Sequence, residues 1–398
     1  VSLYTSVYWT KRVIVVLALI IFVCGGIRIF QGLGSSLTKD DTQVSGFKPE
    51  MGFGKLNRLN IKGMDTGDFK PSDFRISTTK GNLDPDNLYP TETTQSPLSN
   101  VYRITEQPIN LGTSQRPVET GKKMGFTQIP KEESSTLRSW NEKNRELTID
   151  GQYTLIKYIN RNLKVGRPST LGTIDLSLTN DLQSVFTQTL SQFSIQSDLD
   201  DYTFSGTLMN FDSKTGEFAP SGSSTEGSFI KVNAKRFYPN LVKTDEIANA
   251  RAVYADYAGS NNYIIIPNID IDRNFLAANT VVEMSLYNWV VNQDLESENP
   301  NVQTYSIKTP QEAYTQMVNG DAELVYVAEA LTKKNVAVSE LAGAELVDVL
   351  SVRVDMYEEV TYTKYIQPIY VFFCEVQKGD KKFNITYYIP ALTASSLN

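Results

Sequence analysis

Apolar and polar positions along this chain follow three different periods, and each predicts a different kind of element. Residues 13–30 (VIVVLALIIFVCGGIRIF) are continuously apolar apart from Arg28. As a helix rising about 1.5 Å per residue they reach about 27 Å, close to the roughly 30 Å of a bilayer's hydrocarbon core. Arg28 falls in the last turn, where a long side chain can snorkel to the headgroups. Lys11 and Arg12 precede the run, and the tendency of Lys and Arg to stay cytoplasmic puts the amino end inside. No cleavage site of A-x-A type follows cleanly, and Phe22 and Val23 stand where a lipoprotein signal needs small residues before Cys24. The run therefore reads as an uncleaved signal anchor.

After the anchor, residues 31–53 turn to Gly, Ser, Thr, Asp and Lys and read as a flexible stalk. Residues 54–105 alternate short apolar pieces, such as Leu59-Asn60-Ile61, with turn clusters; small strands laid against the next domain are expected. Helix-start signals then recur near Thr113, Asn180, Thr244 and Thr309, roughly every 65 residues, each followed by strand-like runs. This spacing predicts four tandem α+β units, at 106–170, 171–240, 241–303 and 304–392. In the first, Pro117 and Gly121 are expected to interrupt the helix. The second carries a clean stripe over 182–193 (Leu182, Val185, Phe186, Leu190, Phe193), with Asn180 and Gln183 placed as a capping pair. Its strands are expected at 202–211 and 228–234, with a turn at 212–216. The third opens at Thr244-Asp245-Glu246 and continues with strands at 262–267 and 281–291.

The fourth unit has the sharpest signals. Thr309-Pro310-Gln311-Glu312 combines a capping threonine, proline in the first turn and glutamate three past the cap, and Asn319-Gly320 ends the helix. That helix should bury Ala313, Tyr314, Met317 and Val318. Strands follow at 323–327, 347–357, 364–376 and 382–390. In the second of these, Leu350, Val352, Val354 and Met356 alternate with Ser351, Arg353 and Asp355, predicting one packed and one wet face. Pro368 implies a bulge or an edge. An antiparallel sheet with the helix on its inner face accommodates the set, so the fold class is α+β.

Residues 304–392 resemble the carboxyl-terminal module of YycH and YycI type membrane-anchored regulators and, more loosely, PepSY-type modules. The shared pieces are the T-P-Q-E-A-Y helix start, Tyr365-Ile-Gln-Pro-Ile-Tyr-Val-Phe372, and the closing Tyr388-Ile-Pro-Ala391. The resemblance covers under a quarter of the chain. It implies one amino-terminal anchor, an extracytoplasmic α+β body in a bacterial envelope, and action by contact with a sensor kinase rather than by catalysis.

Composition narrows the chemistry. The chain has 398 residues and a net charge of −7, and the first 30 residues hold three cations and no acid, so the remainder is more acidic still. That balance disfavours nucleic acid and anionic lipid as partners of the ectodomain. Histidine is absent, which removes Ser-His-Asp and Cys-His catalysis, histidine metal sites and histidine pH switches. The two cysteines, Cys24 in the anchor and Cys374 in an apolar strand, cannot pair, and Cys374 reads as a buried structural thiol. Asn268, Asp270, Asp272 and Asn274 alternate like an oxygen-rich calcium loop but lack its glycine and glutamate, so a solvated loop is expected. Asp198, Asp200 and Asp201 read as a wet loop, and Asn384-Ile385-Thr386 as part of a strand. No catalytic, cofactor or metal residue is assigned. The tyrosines Tyr357, Tyr362, Tyr365, Tyr370, Tyr387 and Tyr388 crowd one sheet; they are candidates for a partner-binding face, and the competing reading is that they form cross-strand aromatic pairs. The resulting expectation is a non-catalytic single-pass protein that binds or regulates another envelope or membrane protein. The alternative is an envelope hydrolase using acidic residues or a Ser-Lys pair, which requires carboxylates converging in a cleft.

Overall fold

The computed structural model describes residues 49–77, 97–104, 108–152, 155–163, 179–193, 195, 202–221, 227–239, 249–253, 260–268, 280–287, 301–332, 335–359 and 363–398. The anchor at 13–30, the segment 1–12, most of the expected stalk, the helix near Thr244 and the aspartates 198, 200 and 201 lie outside them. No helix among the described residues is long and apolar enough to cross a membrane. Residues 49–398 form one compact unit, mostly sheet with few helices, of α+β class.

In chain order the strands β1 (Asp73–Ile76) and β2 (Leu98–Arg103) come first, followed by helix α1 (Leu111–Lys123). Then come β3 (Lys131–Glu132), β4 (Leu137–Glu142), β5 (Arg145–Asp150), β6 (Leu155–Asn160) and α2 (Thr179–Gln192). The middle of the chain gives β7 (Tyr202–Asp212), β8 (Glu217–Pro220), β9 (Phe229–Pro239), β10 (Asn249–Val253), β11 (Asn262–Pro267) and β12 (Glu283–Tyr287). The last part gives β13 (Val302–Ser306), α3 (Pro310–Val318), β14 (Glu323–Glu329), β15 (Leu346–Tyr357), β16 (Tyr365–Lys378) and β17 (Lys381–Pro390).

The strands of the first three expected units run into one antiparallel sheet, in the order β3-β4-β5-β6-β12-β11-β9-β7-β8. The joint is β6 against β12, with Ile156 opposite Leu286 and Tyr158 opposite Met284. Those side chains share one core with the α2 stripe, of which Leu182, Phe186, Leu190 and Phe193 are fully buried and Val185 is partly so. Helix α2 begins at Thr179, a residue before the expected cap Asn180. Beyond the turn at 212–216, β8 pairs back on β7, a hairpin arm the apolar pattern did not show.

Helix α1 corrects the expectation of an interrupted first helix. It runs through both Pro117 and Gly121 from an Asn110–Thr113 capping box. The reason is packing. A Cβ on Gly121 would lie 2.7 Å from the Trp140 ring, so glycine there lets the indole seat against the helix. Proline at 117 leaves the Thr113 carbonyl without its usual helical donor, and Gly151 of the β5–β6 turn packs against that carbonyl: a Cβ on Gly151 would fall 2.0 Å from Thr113 O. Gly151→Ala is therefore expected to destabilise by roughly 1–3 kcal/mol through overpacking against backbone. Glycine-to-alanine changes in compatible turns are usually stabilising; a urea midpoint at or above wild type would contradict this packing.

The carboxyl-terminal sheet has the order β14-β17-β16-β15, antiparallel, with β1 added in parallel on β15. Helix α3 starts on the Thr309–Glu312 capping box and ends at Asn319, with Gly320 at positive φ. It buries Ala313 and Met317 on the inner face, while Tyr314 is half-buried and donates to Phe74 O; Val318, expected to pack, is exposed. Along β15 the expected alternation changes phase. Leu350 is an extra residue between Val349, opposite Cys374, and Ser351, opposite Phe373. Val347 and Val349 face the helix before this bulge, and Val352 and Val354 after it. Asp355 is buried rather than wet, paired with Arg353. At Pro368 there is no bulge: its carbonyl accepts from Ala391 N, and the ladder to β17 begins one residue later at Ile369. Its missing N–H faces the Ala391 carbonyl, which accepts from Lys308 N instead, so no acceptor is left open by the proline.

The chain before β1 forms a strap over this sheet. Met51 N donates to Thr304 O, Leu56 N to Ser396 O, and Met64 N to Leu324 O. Phe53 packs on the Tyr305 and Tyr365 rings, so residues 49–53 belong to the body and not to the stalk. Leu59 and Ile61 cover the sheet's outer face. The strands at 54–105 are therefore laid on the last unit rather than on the next: β1 on β15, and β2 between β13 and the start of β16.

Candidate functional site

Four of the six tyrosines expected to face a partner are interior, which corrects the picture of an exposed aromatic face. Tyr370 and Tyr387 lie under α3, and Tyr357 and Tyr388 lie under the strap, where their rings meet edge to face. Neighbours in a strand point to opposite faces, and here both faces are covered. Tyr388 is 0% and Tyr357 3% exposed. Burial pushes the Tyr357 hydroxyl up to about 12 and raises those of Tyr370 and Tyr387 well above the ordinary value. Tyr370 OH donates to Lys308 O. Tyr365 alone of the described five is half-buried, and Tyr362 lies outside the described residues.

Cys374 is buried in the same inner core, and burial raises its thiol pKa well above the ordinary value. In a Cys24→Ser background, a maleimide at pH 8 is expected to leave the folded protein unmodified and to label it stoichiometrically in urea. Rapid native labelling would contradict the burial.

The two sheets meet at a buried polar junction. Strand β10 stitches them, antiparallel to β9 and, through Ala252 and Val253, parallel to the end of β15. On β9 the inward phase Ile230, Val232, Ala234 continues into Arg236 and Tyr238. Arg236, 4% exposed, donates through Nε and Nη2 to Tyr202 OH at 3.1 and 2.7 Å, and through Nη1 to Tyr238 OH at 3.3 Å. Tyr238 OH donates in turn to Glu358 Oε1, just past β15, and Arg236 Nη1 lies 3.7 Å from the same oxygen. Glu358 is 1% exposed, and its other oxygen has no hydrogen-bond partner among the described residues. The Tyr102 ring packs on that of Tyr238 at 5.0 Å, tilted by 45°, closing an apolar collar with Met356 and Ile366. Two other buried carboxylates are also taken up by donors. Asp355 takes Arg353, and Glu142 accepts from Thr127 N and Oγ1 and from Gln128 N, bonds that hold its carboxyl below the ordinary range.

Next to this junction, on the strap side, lies a groove of about 360 Å³. Its walls include Lys55, Arg58 and Leu59 from the strap, Glu359 and Lys364 from between β15 and β16, and Tyr365 at the start of β16. Glu359 follows Glu358 directly, and its carbonyl accepts from Asn261 Nδ2 of the other sheet. Gln367 Nε2 donates to Asn57 O, fixing the strap to β16. Among the described residues, three cations and one acid thus line a cleft in a net-acidic chain. Sequence reading missed both features. A trace of the first was present, since Arg236 stands in the inward phase of an apolar strand. The groove had none, because its residues come from distant stretches.

Of the other positions weighed in the sequence, Asn268 caps the end of β11, its Nδ2 donating to Gly227 O; Asp270, Asp272 and Asn274 lie outside the described residues. The turn at 212–216 is closed by Lys214 N on Asp212 Oδ1, with Gly216 at positive φ.

No protein-family model and none of the curated proteins matches this chain. Among solved structures it is similar to an uncharacterized protein from Eubacterium rectale ATCC 33656, determined by crystallography at 1.45 Å resolution. That similarity has 11% identity and a TM-score of 0.29, and covers 75% of this chain and 84% of that one.

Proposed function

We propose that this chain is a non-catalytic, single-pass bacterial membrane protein whose extracytoplasmic body binds and regulates another envelope or membrane protein. In this reading 13–30 is the anchor, the amino end is cytoplasmic, and the body begins at residue 49. The observation that carries it is the strap. The chain that leaves the anchor enters the body along the carboxyl-terminal sheet, and the same strap forms one wall of the basic groove. A partner site on the stretch that follows the anchor in sequence is what a tethered regulator needs. A sensor kinase is the partner class that the resemblance of residues 304–392 implies. The hydrolase alternative draws little from Asp355 or Glu142, which are held by an arginine or by N–H and O–H donors, or from Glu358, whose Oε1 is held by Arg236 and Tyr238.

In-membrane crosslinking of the full-length protein in its native cells, beside a version carrying a foreign anchor, tests the reading. A discrete membrane protein captured by the native form and reduced on swapping the anchor is expected. Recovery of cell-wall polymer alone would sink it.

A further inference from the structure

The strap wall of the groove has a feature that charge alone does not explain. Its carbonyl at Asn57 is taken by Gln367, yet among the described residues the N–H groups of Asn57, Arg58, Leu59 and Asn60 donate to no protein acceptor. Leu59 and Ile61, two residues apart, both turn onto the sheet, which is the spacing of an extended chain. Arg58 and Asn60 are exposed on the opposite side. An extended chain with open backbone donors, bordered by Lys55, Arg58 and Lys364 and by the apolar surfaces of Leu59 and Tyr365, has the elements of a strand-addition site.

We propose that this groove takes an extended, acidic segment of the partner protein, which pairs with residues 57–60 as an added strand. Its carboxylates meet Lys55, Arg58 and Lys364, and its apolar side chains lie against Tyr365 and Leu59. Glu359, the one acid among the described lining residues, disfavours a carboxylate of the segment at its end of the groove. Open backbone donors favour a polypeptide over a phosphodiester polymer, because a polymer without amides gains from the cations but does not form a ladder. The body's overall negative charge makes the local reversal of sign a basis for choosing among partners, since like charges repel elsewhere on the surface. The assignment rests on the reading that the partner is a protein.

The test uses full-length protein in detergent and a fluorescein-labelled peptide of about eight residues alternating Glu and Leu, at about 50 mM salt, where surface electrostatics are weakly screened. Saturable binding is expected. The triple variant K55E/R58E/K364E should weaken it about tenfold or more, with an unchanged melting temperature because all three side chains are on the surface. An N-methylated peptide of the same charge should also bind several-fold more weakly, since it cannot complete the ladder. Absence of saturable binding overturns the proposal. So does binding that is indifferent to both the triple variant and methylation, or that polyphosphate matches at equal charge. Repeating the in-cell crosslinking with the triple variant separates the two levels. Undiminished capture of the same protein removes the groove and leaves the regulator reading standing; no protein captured even by wild type removes that reading.

Discussion

Glu358→Ala is expected to cost about 3–5 kcal/mol, because it leaves the Arg236 guanidinium in a dry junction without its carboxylate. The Arg236 contacts to Tyr202 and Tyr238 remain in that variant, but Tyr238 loses the acceptor for its own proton. Arg236→Ala should fall in the same range for the mirror-image reason. A buried ion pair contributes little net stability against a well-packed apolar replacement, so the double variant Arg236→Met with Glu358→Leu should cost clearly less than either single change. Urea denaturation of wild type, Arg236→Met, Glu358→Leu and the double variant reads this as a coupling free energy. Additive losses would mean that the two side chains act independently, and the junction would then not be what joins the sheets at this point.

The second large effect is expected at Phe372. Its ring is fully buried in β16, opposite Val352 on one side and Tyr387 on the other, and it lies 6.4 Å from the Tyr370 ring. Phe372→Ala removes that volume from the layer between α3 and the sheet, where strands on either side limit collapse, and about 3–5 kcal/mol of destabilisation follows. Tyr365→Ala, by contrast, truncates a half-buried ring at the groove and should stay near 1–2 kcal/mol by the partial area it covers. Comparable losses at both positions would contradict the assignment of Tyr370 and Tyr387 to the interior and Tyr365 to the rim.

What could be read from the residues depended on whether an element is specified locally. Helix α3 was legible because its start and stop lie in adjacent residues: the Thr309–Glu312 box and the Asn319-Gly320 end are where the structure has them. The α2 stripe was legible because one face of one helix meets the core. The α1 helix was misread, since the compensation for Pro117 and Gly121 comes from Gly151 and Trp140, well downstream. The phase change in β15 was invisible for a related reason. A single bulged residue, Leu350, is set by the partner strand and not by its own neighbours. The tyrosines failed as an exposed face because their exposure is decided by the strap, whose Leu59 and Ile61 sit in a stretch with weak strand character. The groove, too, is a product of tertiary structure, built from residues some three hundred positions apart.

Site-specific photocrosslinking in native cells tests most directly whether this body is a partner-binding regulator. A photoreactive residue is placed at Arg58 on the groove wall or, for comparison, at Ile129, which is 94% exposed in the loop before β3. A discrete protein adduct from position 58 and none of that mass from position 129 is the expected result. No protein adduct from position 58, or equal adducts from both, would contradict the claim that partner recognition resides at the strap.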